Sequence, residues 1–416
     1  MRALFRVSLS SGALTLARIA SGLLIVKISA VYIGPSGIAL LGQVQSLVSA
    51  MVGIVAAPGG NGLIRYSAQY RVDGYESCAP WWSASLKWGL LLLAPTILIT
   101  LVFSGFLSTF LFDSPHYRWV IFLTCAGLPF ATANIFLVST LNGLEDYGRY
   151  VALGMLSVLV STSLMVTLTV SFGLDGTLMG AALATAVAGL VMAIGVSGQT
   201  WFRWRLWWAE SSKENFWGIG KYVSMAVTTA LTGPVALILV RSILSHSEGW
   251  ESTGQWQAVY KISEIYLGVI TVSLATYFLP RLSKLESYTD IRNEIIFTAR
   301  IVMPLVITLA LGIYFSRDFI ISSLFSSDFY PARDLFAIQL TGDTVKILAW
   351  LVAFPMISRG AAKWFIGTEI VFAISLPLLT YLLVDEHGVK GAVMAYLISY
   401  LIYLTLVSTN LKRIVK

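Results

Sequence analysis

Gly388-Val389-Lys390-Gly391-Ala392-Val393-Met394-Ala395 repeats, 215 positions later, the pattern of Gly173-Leu174-Asp175-Gly176-Thr177-Leu178-Met179-Gly180. Each octet opens a long apolar run. A second pair of matches has nearly the same spacing: Ile64-Arg65-Tyr66-Ser67 and Pro280-Arg281-Leu282-Ser283 lie 216 positions apart. Glycine-rich helix starts recur by chance, so neither match decides alone. Their common offset points to a parallel duplication, one half of the chain repeating the other.

Around these octets the chain is a succession of apolar runs, each near the length of about 20 residues that a membrane-crossing helix needs. Twelve are found, roughly 9–33, 37–60, 84–111, 117–142, 150–172, 177–201, 218–244, 255–280, 295–316, 334–357, 363–384 and 391–410. Hydrophobic residues make up 57% of the 416 and charged residues 12%, about half the charge of an average soluble domain. That composition excludes a soluble enzyme, a nucleic-acid binder and a disordered scaffold. Spans built of short alternating strands do not fit such continuous runs. The expected fold is an all-α integral membrane protein, with twelve transmembrane helices in two pseudo-symmetric six-helix lobes around a central cavity. The expected division is an N-terminal lobe 1–205, a cytoplasmic linker 206–217 rich in Trp and charge, and a C-terminal lobe 218–416. Six spans per half give both halves the same topology and a pseudo-two-fold axis along the membrane normal, a layout on which transporters build central sites. The basic start, Met1 to Arg6, lacks a small-residue cleavage site and reads as a retained first helix.

Orientation follows the Lys/Arg bias of the connections. One set of ends and loops, including Arg2, Arg6, Arg65, Arg71, Lys213, Arg281 and Lys412, carries nineteen basic residues; the other carries five, Arg118, Arg241, Arg317, Arg333 and Lys390. Both termini are therefore expected in the cytoplasm. The three histidines, His116, His246 and His387, fall outside the spans, which argues against a histidine proton relay. The net charge of +7 would suggest nucleic acid in a soluble protein; here the placement of the basic groups matters more, and no nucleic-acid partner is expected. The two cysteines, Cys78 and Cys125, support neither a disulfide framework nor a metal site.

Seven ionisable residues fall within spans: Arg18, Lys27, Lys261, Glu264, Asp343, Lys346 and Glu369. Left facing lipid at mid-membrane, they would together cost roughly 17–25 kcal/mol on insertion scales. They must pair or line a hydrated cavity. Lys261 with Glu264, and Asp343 with Lys346, are spaced i,i+3, so each pair shares a helix face. Both are open to two readings, an ion pair hidden between helices or one face of a polar cavity. Arg18 and Lys27 stand on opposite faces of a straight helix, about 13 Å apart along its axis, so both line one cavity only if Gly22 bends the helix; otherwise Lys27 snorkels. Four basic against three acidic groups make the interior mildly cationic, which suits an anionic ligand. Arg65 and Arg241 add positive charge at the span ends. The candidate substrate-binding residues are Arg18, Lys27, Arg65, Arg241, Lys261 and Lys346; the candidate ion-coupling residues are Glu264 and Asp343.

No phosphate-binding loop, HExxH or GxSxG occurs, so no catalytic residue, metal ligand or cofactor is expected. The Trp clusters Trp81-Trp82 and Trp201 to Trp208 read as interfacial anchors. Short outer loops disfavour a membrane glycan polymerase or ligase.

Several stretches carry a resemblance to a known family. Lys27-Ile28-Ser29-Ala30-Val31-Tyr32-Ile33-Gly34-Pro35-Ser36-Gly37 and Gly59-Gly60-Asn61-Gly62-Leu63-Ile64-Arg65-Tyr66 resemble the start of Wzx-type polysaccharide flippases. The similarity continues in Gly254-Gln255-Trp256-Gln257-Ala258-Val259, Leu279-Pro280-Arg281-Leu282, and Gln339-Leu340-Thr341-Gly342-Asp343-Thr344-Val345-Lys346. It is strongest toward flippases for O-antigen units and for lipid III of enterobacterial common antigen. The resemblance implies the architecture of the superfamily that also holds multidrug MATE exporters and the lipid II flippase. It implies alternating access and a substrate of undecaprenyl-pyrophosphate-linked oligosaccharide, moved from the cytoplasmic to the periplasmic leaflet of the bacterial inner membrane. Membrane lipid is a further partner, and the polysaccharide polymerase and chain-length components are candidate protein partners. The alternative within the superfamily is a multidrug or small-cation antiporter, which would favour a net acidic cavity.

Overall fold

The computed structural model describes residues 2–415, with the side chains of residues 2–11 and of Met225 outside that description. Arg2 and Arg6, used above for orientation, fall among those side chains.

Among the described residues every regular element is helical, and nine helices are long and apolar enough to cross a membrane. Three of them contain one glycine with non-helical dihedrals: Gly34 (φ 62°, ψ −170°) in Arg2–Ala56, Gly173 (φ 56°, ψ −127°) in Tyr147–Val196, and Gly249 (φ 80°, ψ 167°) in Lys213–Ser283. Each break divides its helix in two, so nine helices supply twelve segments, in the windows expected from hydropathy. The remaining spans are Tyr75–Val102, Arg118–Gly143, Tyr288–Phe315, Phe336–Ser358, Ala362–His387 and Val389–Val415. Near Pro58 the helix gives way to a short 3-10 turn, Ala57–Gly59, before Asn61–Tyr70 begins. By contrast, helical dihedrals run on across Gly233-Pro234.

The breaks carry the duplication into three dimensions. Gly388, between Ala362–His387 and Val389–Val415, has φ 55° and ψ −143°, close to Gly173. Gly173 and Gly388 are 215 positions apart, and so are Gly34 and Gly249. A side chain at positive φ costs energy because Cβ crowds the backbone, which is why glycine occupies such points. A third pair follows: a Cβ on Gly176 would run into the backbone of Leu168, and one on Gly391 into that of Leu383. These two contacts are again 215 apart.

The chain forms two compact units, residues 1–32 with 43–234, and residues 33–42 with 235–416. In the first, Arg118–Gly143 packs along Tyr147–Val196 through small residues. A Cβ on Gly127 would lie 3.1 Å from Ala186 Cβ, and one on Gly189 would meet the carbonyl of Phe130. In a bilayer the lipid tails are as apolar as leucine, so close backbone approach of this kind, not hydrophobic exclusion, holds helices together. At one end the packing turns aromatic: Trp82 stacks on Trp207 at 5.5 Å and donates its indole N–H to Ser67 Oγ at 2.8 Å. In the second unit Phe278, Ile291, Val306, Ile347, Leu351 and Leu411 are buried together. Leu98, Phe106, Leu159, Phe172, Leu305 and Ile374 remain exposed, as lipid-facing side chains should.

Replacing Gly173 by Ala tests the break directly. Nothing lies within 4 Å of the new Cβ, so the cost is backbone strain alone, of order 1–3 kcal/mol. Gly312 is helical and equally open. Gly173→Ala should lower the melting temperature of the detergent-solubilised protein, and Gly312→Ala should leave it unchanged or raise it. Equal behaviour of the two would count against the strained turn.

Candidate functional site

The in-membrane charges separate into two environments, one in each unit. In the second unit the centre is Asp343, on Phe336–Ser358, with no exposed surface. Its carboxylate accepts four hydrogen bonds. Ser263 Oγ (2.6 Å) and Tyr266 OH (2.8 Å) donate to Oδ2; Tyr396 OH (2.9 Å) and Gln339 Nε2 (3.2 Å) donate to Oδ1. A carboxylate has about four favourable acceptor positions, so this one is saturated. The donors come from three helical segments, and the charge thereby ties those segments to one another.

Lys346, one turn on, does not close an ion pair with Asp343. Its Nζ lies over three rings, 4.9 Å from the centroid of Trp350, 5.6 Å from Tyr400 and 5.9 Å from Tyr396. Aromatic faces carry negative charge density and hold a cation without neutralising it. Tyr396 therefore serves both groups: its hydroxyl binds Asp343 and its ring faces Lys346. Tyr396, Tyr400 and Tyr403 fall at i, i+4 and i+7 on Val389–Val415 and form one stripe. The stripe continues onto the segment after Gly249, where Tyr260 meets Tyr396 edge-on at 6.4 Å and stacks on Trp256 at 5.3 Å.

Arg241 stands at the far end of this stripe. It is 2% exposed; its Nε donates to Gln257 Oε1 at 2.7 Å, and its guanidinium lies 5.9 Å from the Trp256 ring. Gly42 leaves the room, since a Cβ there would come within 2.8 Å of that nitrogen. Lys261 and Glu264 form an ion pair at 2.7 Å, but it is not hidden between helices, since Glu264 is about half exposed. Glu264 interacts electrostatically with both Arg241 and Lys346, and Glu369 with Lys346. Five of the eight expected site residues, Arg241, Lys261, Glu264, Asp343 and Lys346, thus share one polar-aromatic patch.

The other three lie in the first unit. Arg18 lines a cavity of about 440 Å³ together with Ser21, Asn134, Tyr150, Ser161 and Thr162. Ser21 and Thr162 are hydrogen-bonded to each other, and Ser161 donates to the carbonyl of Ala184. Among the described residues no carboxylate pairs with Arg18. Gly22 also lines the cavity; Lys27 does not, and is half-buried. Arg65 is exposed on Asn61–Tyr70, where it donates to Tyr222 OH at 2.8 Å and sits over the Tyr66 ring. Tyr66 in turn stacks on Trp81 at 3.5 Å. Reasoning from charge alone overlooked Trp256, Tyr260, Ser263, Tyr266, Trp350, Tyr396 and Tyr400. The tyrosines at i, i+4, i+7 were the available signal. Among the described residues no group of His, Cys, Asp and Glu could hold a metal ion, and both cysteines are buried and free.

The saturated carboxylate yields a test. An amide at position 343 keeps one acceptor oxygen, but it removes the negative charge and turns an NH2 toward two groups that donate in the parent, so their hydrogen bonds must be rearranged. Asp343→Asn should therefore destabilise by about 1–3 kcal/mol, read as a lower melting temperature. Tyr396→Phe should lose less than Asp343→Asn, because three donors remain.

No family model matches the chain. It is 31% identical to the lipid III flippase of Escherichia coli (strain K12) over 419 aligned positions, covering 97% of each chain. Its fold matches an inward-facing multidrug resistance MATE family transporter of the MOP superfamily, with a TM-score of 0.78 at 14% identity, over 96% of this chain and 95% of that one. It also matches the lipid II flippase MurJ in an inward closed conformation, with a TM-score of 0.68 at 13% identity, over 98% and 87% of the two chains.

Proposed function

The chain belongs to the lipid III flippase family, and from that premise we propose that it carries undecaprenyl-pyrophosphate-linked oligosaccharide, lipid III or an O-antigen unit, across the bacterial inner membrane. The observation that carries this reading is the alignment with the E. coli lipid III flippase, which runs through 97% of both chains. Movement is from the cytoplasmic to the periplasmic leaflet by alternating access, with both termini in the cytoplasm. The excess of basic residues on one set of loops supports that orientation. A pyrophosphate and several sugars do not cross hydrocarbon unaided, whereas a polyprenyl tail can remain in lipid throughout.

The geometry sorts the basic residues by availability. Among the described residues neither Arg18 nor Lys346 closes an ion pair with a carboxylate; Arg18 stands among hydroxyls and Lys346 against aromatic faces. We assign them to contacts with anionic groups of the substrate, where a guanidinium or ammonium makes charge-assisted hydrogen bonds. Arg65, exposed and steadied by Tyr222, suits an initial contact at the cytoplasmic end. Lys261 is held by Glu264, so substrate reaches it by competing with that carboxylate. Arg241 is almost wholly buried and positions the stripe beside Trp256. Glu264 and Asp343 are the carboxylates we assign to ion coupling.

Lys346→Ala and Arg18→Ala should each weaken binding of a lipid-linked oligosaccharide to purified protein by about 2–5 kcal/mol. Arg18→Lys should recover part of the loss, having charge but no planar fork. Lys363→Ala, at an exposed helix start, should bind like the parent. If Lys346→Ala and Arg18→Ala both bind like the parent and like Lys363→Ala while melting normally, the assignment of Arg18 and Lys346 is wrong.

Coupling is read in liposomes with an imposed ion gradient. Glu264→Gln should reduce gradient-driven transport more than it reduces binding. Equal loss of both, or of neither, would leave the Lys261–Glu264 pair a structural one.

A further inference from the structure

A second cavity of the first unit has no part in the mechanism above. It measures about 430 Å³ and lies between Tyr75–Val102, Arg118–Gly143 and the connection after Tyr147–Val196. Its walls are apolar, among them Leu90, Leu93, Phe136 and Ala193, and its rim carries Arg203 and Trp204. Leu90 is 42% exposed within its span, so the slot opens sideways where lipid chains run. Thr132 is the one hydroxyl on the wall, and it is committed to the carbonyl of Leu128. A slot of this composition rejects sugars and peptides and accepts a hydrocarbon chain.

Its mouth is built differently. Arg203 is exposed and, among the described residues, no carboxylate pairs with it. Trp207 also lines the slot. It is only 7% exposed, held by its stack on Trp82, and its buried indole N–H finds no acceptor in the protein. Buried polar groups are almost always hydrogen-bonded, so this donor calls for an acceptor brought from outside. The segment falls at the level of an aromatic belt, with Trp204 and Trp208 exposed and stacked at 5.3 Å. Belts of this kind sit at the headgroup depth.

We propose that this slot binds one anionic phospholipid. An acyl chain lies among Leu90, Leu93, Phe136 and Ala193; an ester carbonyl or phosphate oxygen accepts from Trp207 Nε1–H; and the headgroup charge rests on Arg203. The guest is a bilayer lipid held on the connection between the two sequence halves, separate from the substrate's own contacts at Arg18 and Lys346.

The test uses native mass spectrometry of the delipidated full chain, titrated with phosphatidylglycerol, phosphatidylcholine or undecaprenyl phosphate, with melting temperatures in parallel. Phosphatidylglycerol should bind in preference to the other two and raise the melting temperature. Arg203→Gln should weaken it about fivefold, the worth of one basic residue at a membrane surface. Trp207→Phe keeps the ring and removes only the donor, and should weaken it about fivefold as well, as a lost neutral hydrogen bond does. Ala193→Phe, which fills the wall, should abolish the binding. In Arg18→Ala the phospholipid should bind as in the parent, which separates failure here from failure of the transport assignment. Equal binding of phosphatidylglycerol and phosphatidylcholine would overturn the proposal. So would undecaprenyl phosphate as the preferred ligand, or full binding by Trp207→Phe and Arg203→Gln together.

Discussion

A charge within hydrocarbon must be answered by the protein itself, because no water is present to answer it. This constraint shapes the second unit. Asp343 is answered by four donors from three helical segments, and each donor fixes the rotation of its own helix. Once Tyr396 is turned toward the carboxylate, its ring is available to Lys346, and Tyr400 and Trp350 complete the surround. The aromatic stripe follows from the acid: without Asp343 there would be no reason for the hydroxyl of Tyr396 to point where it does. Lys346 is met directly by ring faces and makes no close ion pair with the carboxylate, which leaves its ammonium group open to contact with an anionic substrate.

The first unit solves a different problem with different residues. Arg18, exposed to the cavity it lines, stands among serine, threonine, asparagine and tyrosine, which donate or accept as required and carry no charge. Hydroxyls can exchange partners at little cost, so such a wall adapts to what enters. Ring faces around Lys346 present a fixed electrostatic surface. One half of the chain thus pairs a cation with an adaptable polar lining and the other with a rigid aromatic one.

Much of the architecture was legible from residues alone. Hydropathy gives the spans, and the offset of 215 between glycine octets reappears in the backbone, where Gly173 and Gly388 share a conformation. The site was legible only in part. Charges inside spans are conspicuous, so Asp343, Lys346 and Lys261 stood out, with Arg241 noted only at a span end. Their partners did not. Spacing of i,i+3 describes neighbours on one helix, and it holds for Lys261 and Glu264, where the nearest answer is local. For Asp343 and Lys346 it names the shared face but not the partners, because hydroxyls from Ser263, Tyr266 and Tyr396 arrive from helices remote in the chain. Tyrosine is also ordinary in membrane helices, so a tyrosine stripe does not announce itself as a site until its neighbour is known.

The positive-φ glycines at the paired breaks have a consequence at the level of the gene. Gly34, Gly173, Gly249 and Gly388 occupy dihedrals that a Cβ makes costly. A glycine codon is GGN, and every single-base missense change from it yields a residue with a side chain. At these four codons there is no gentle neighbouring allele, only synonymous change in the third base. Drift is therefore confined to silent sites there, while in the apolar spans a valine codon reaches Leu, Ile or Ala by a single base change. Two copies of an ancestral half can lose almost all likeness in their spans and still agree at their turns. That is the pattern in which the duplication is still visible.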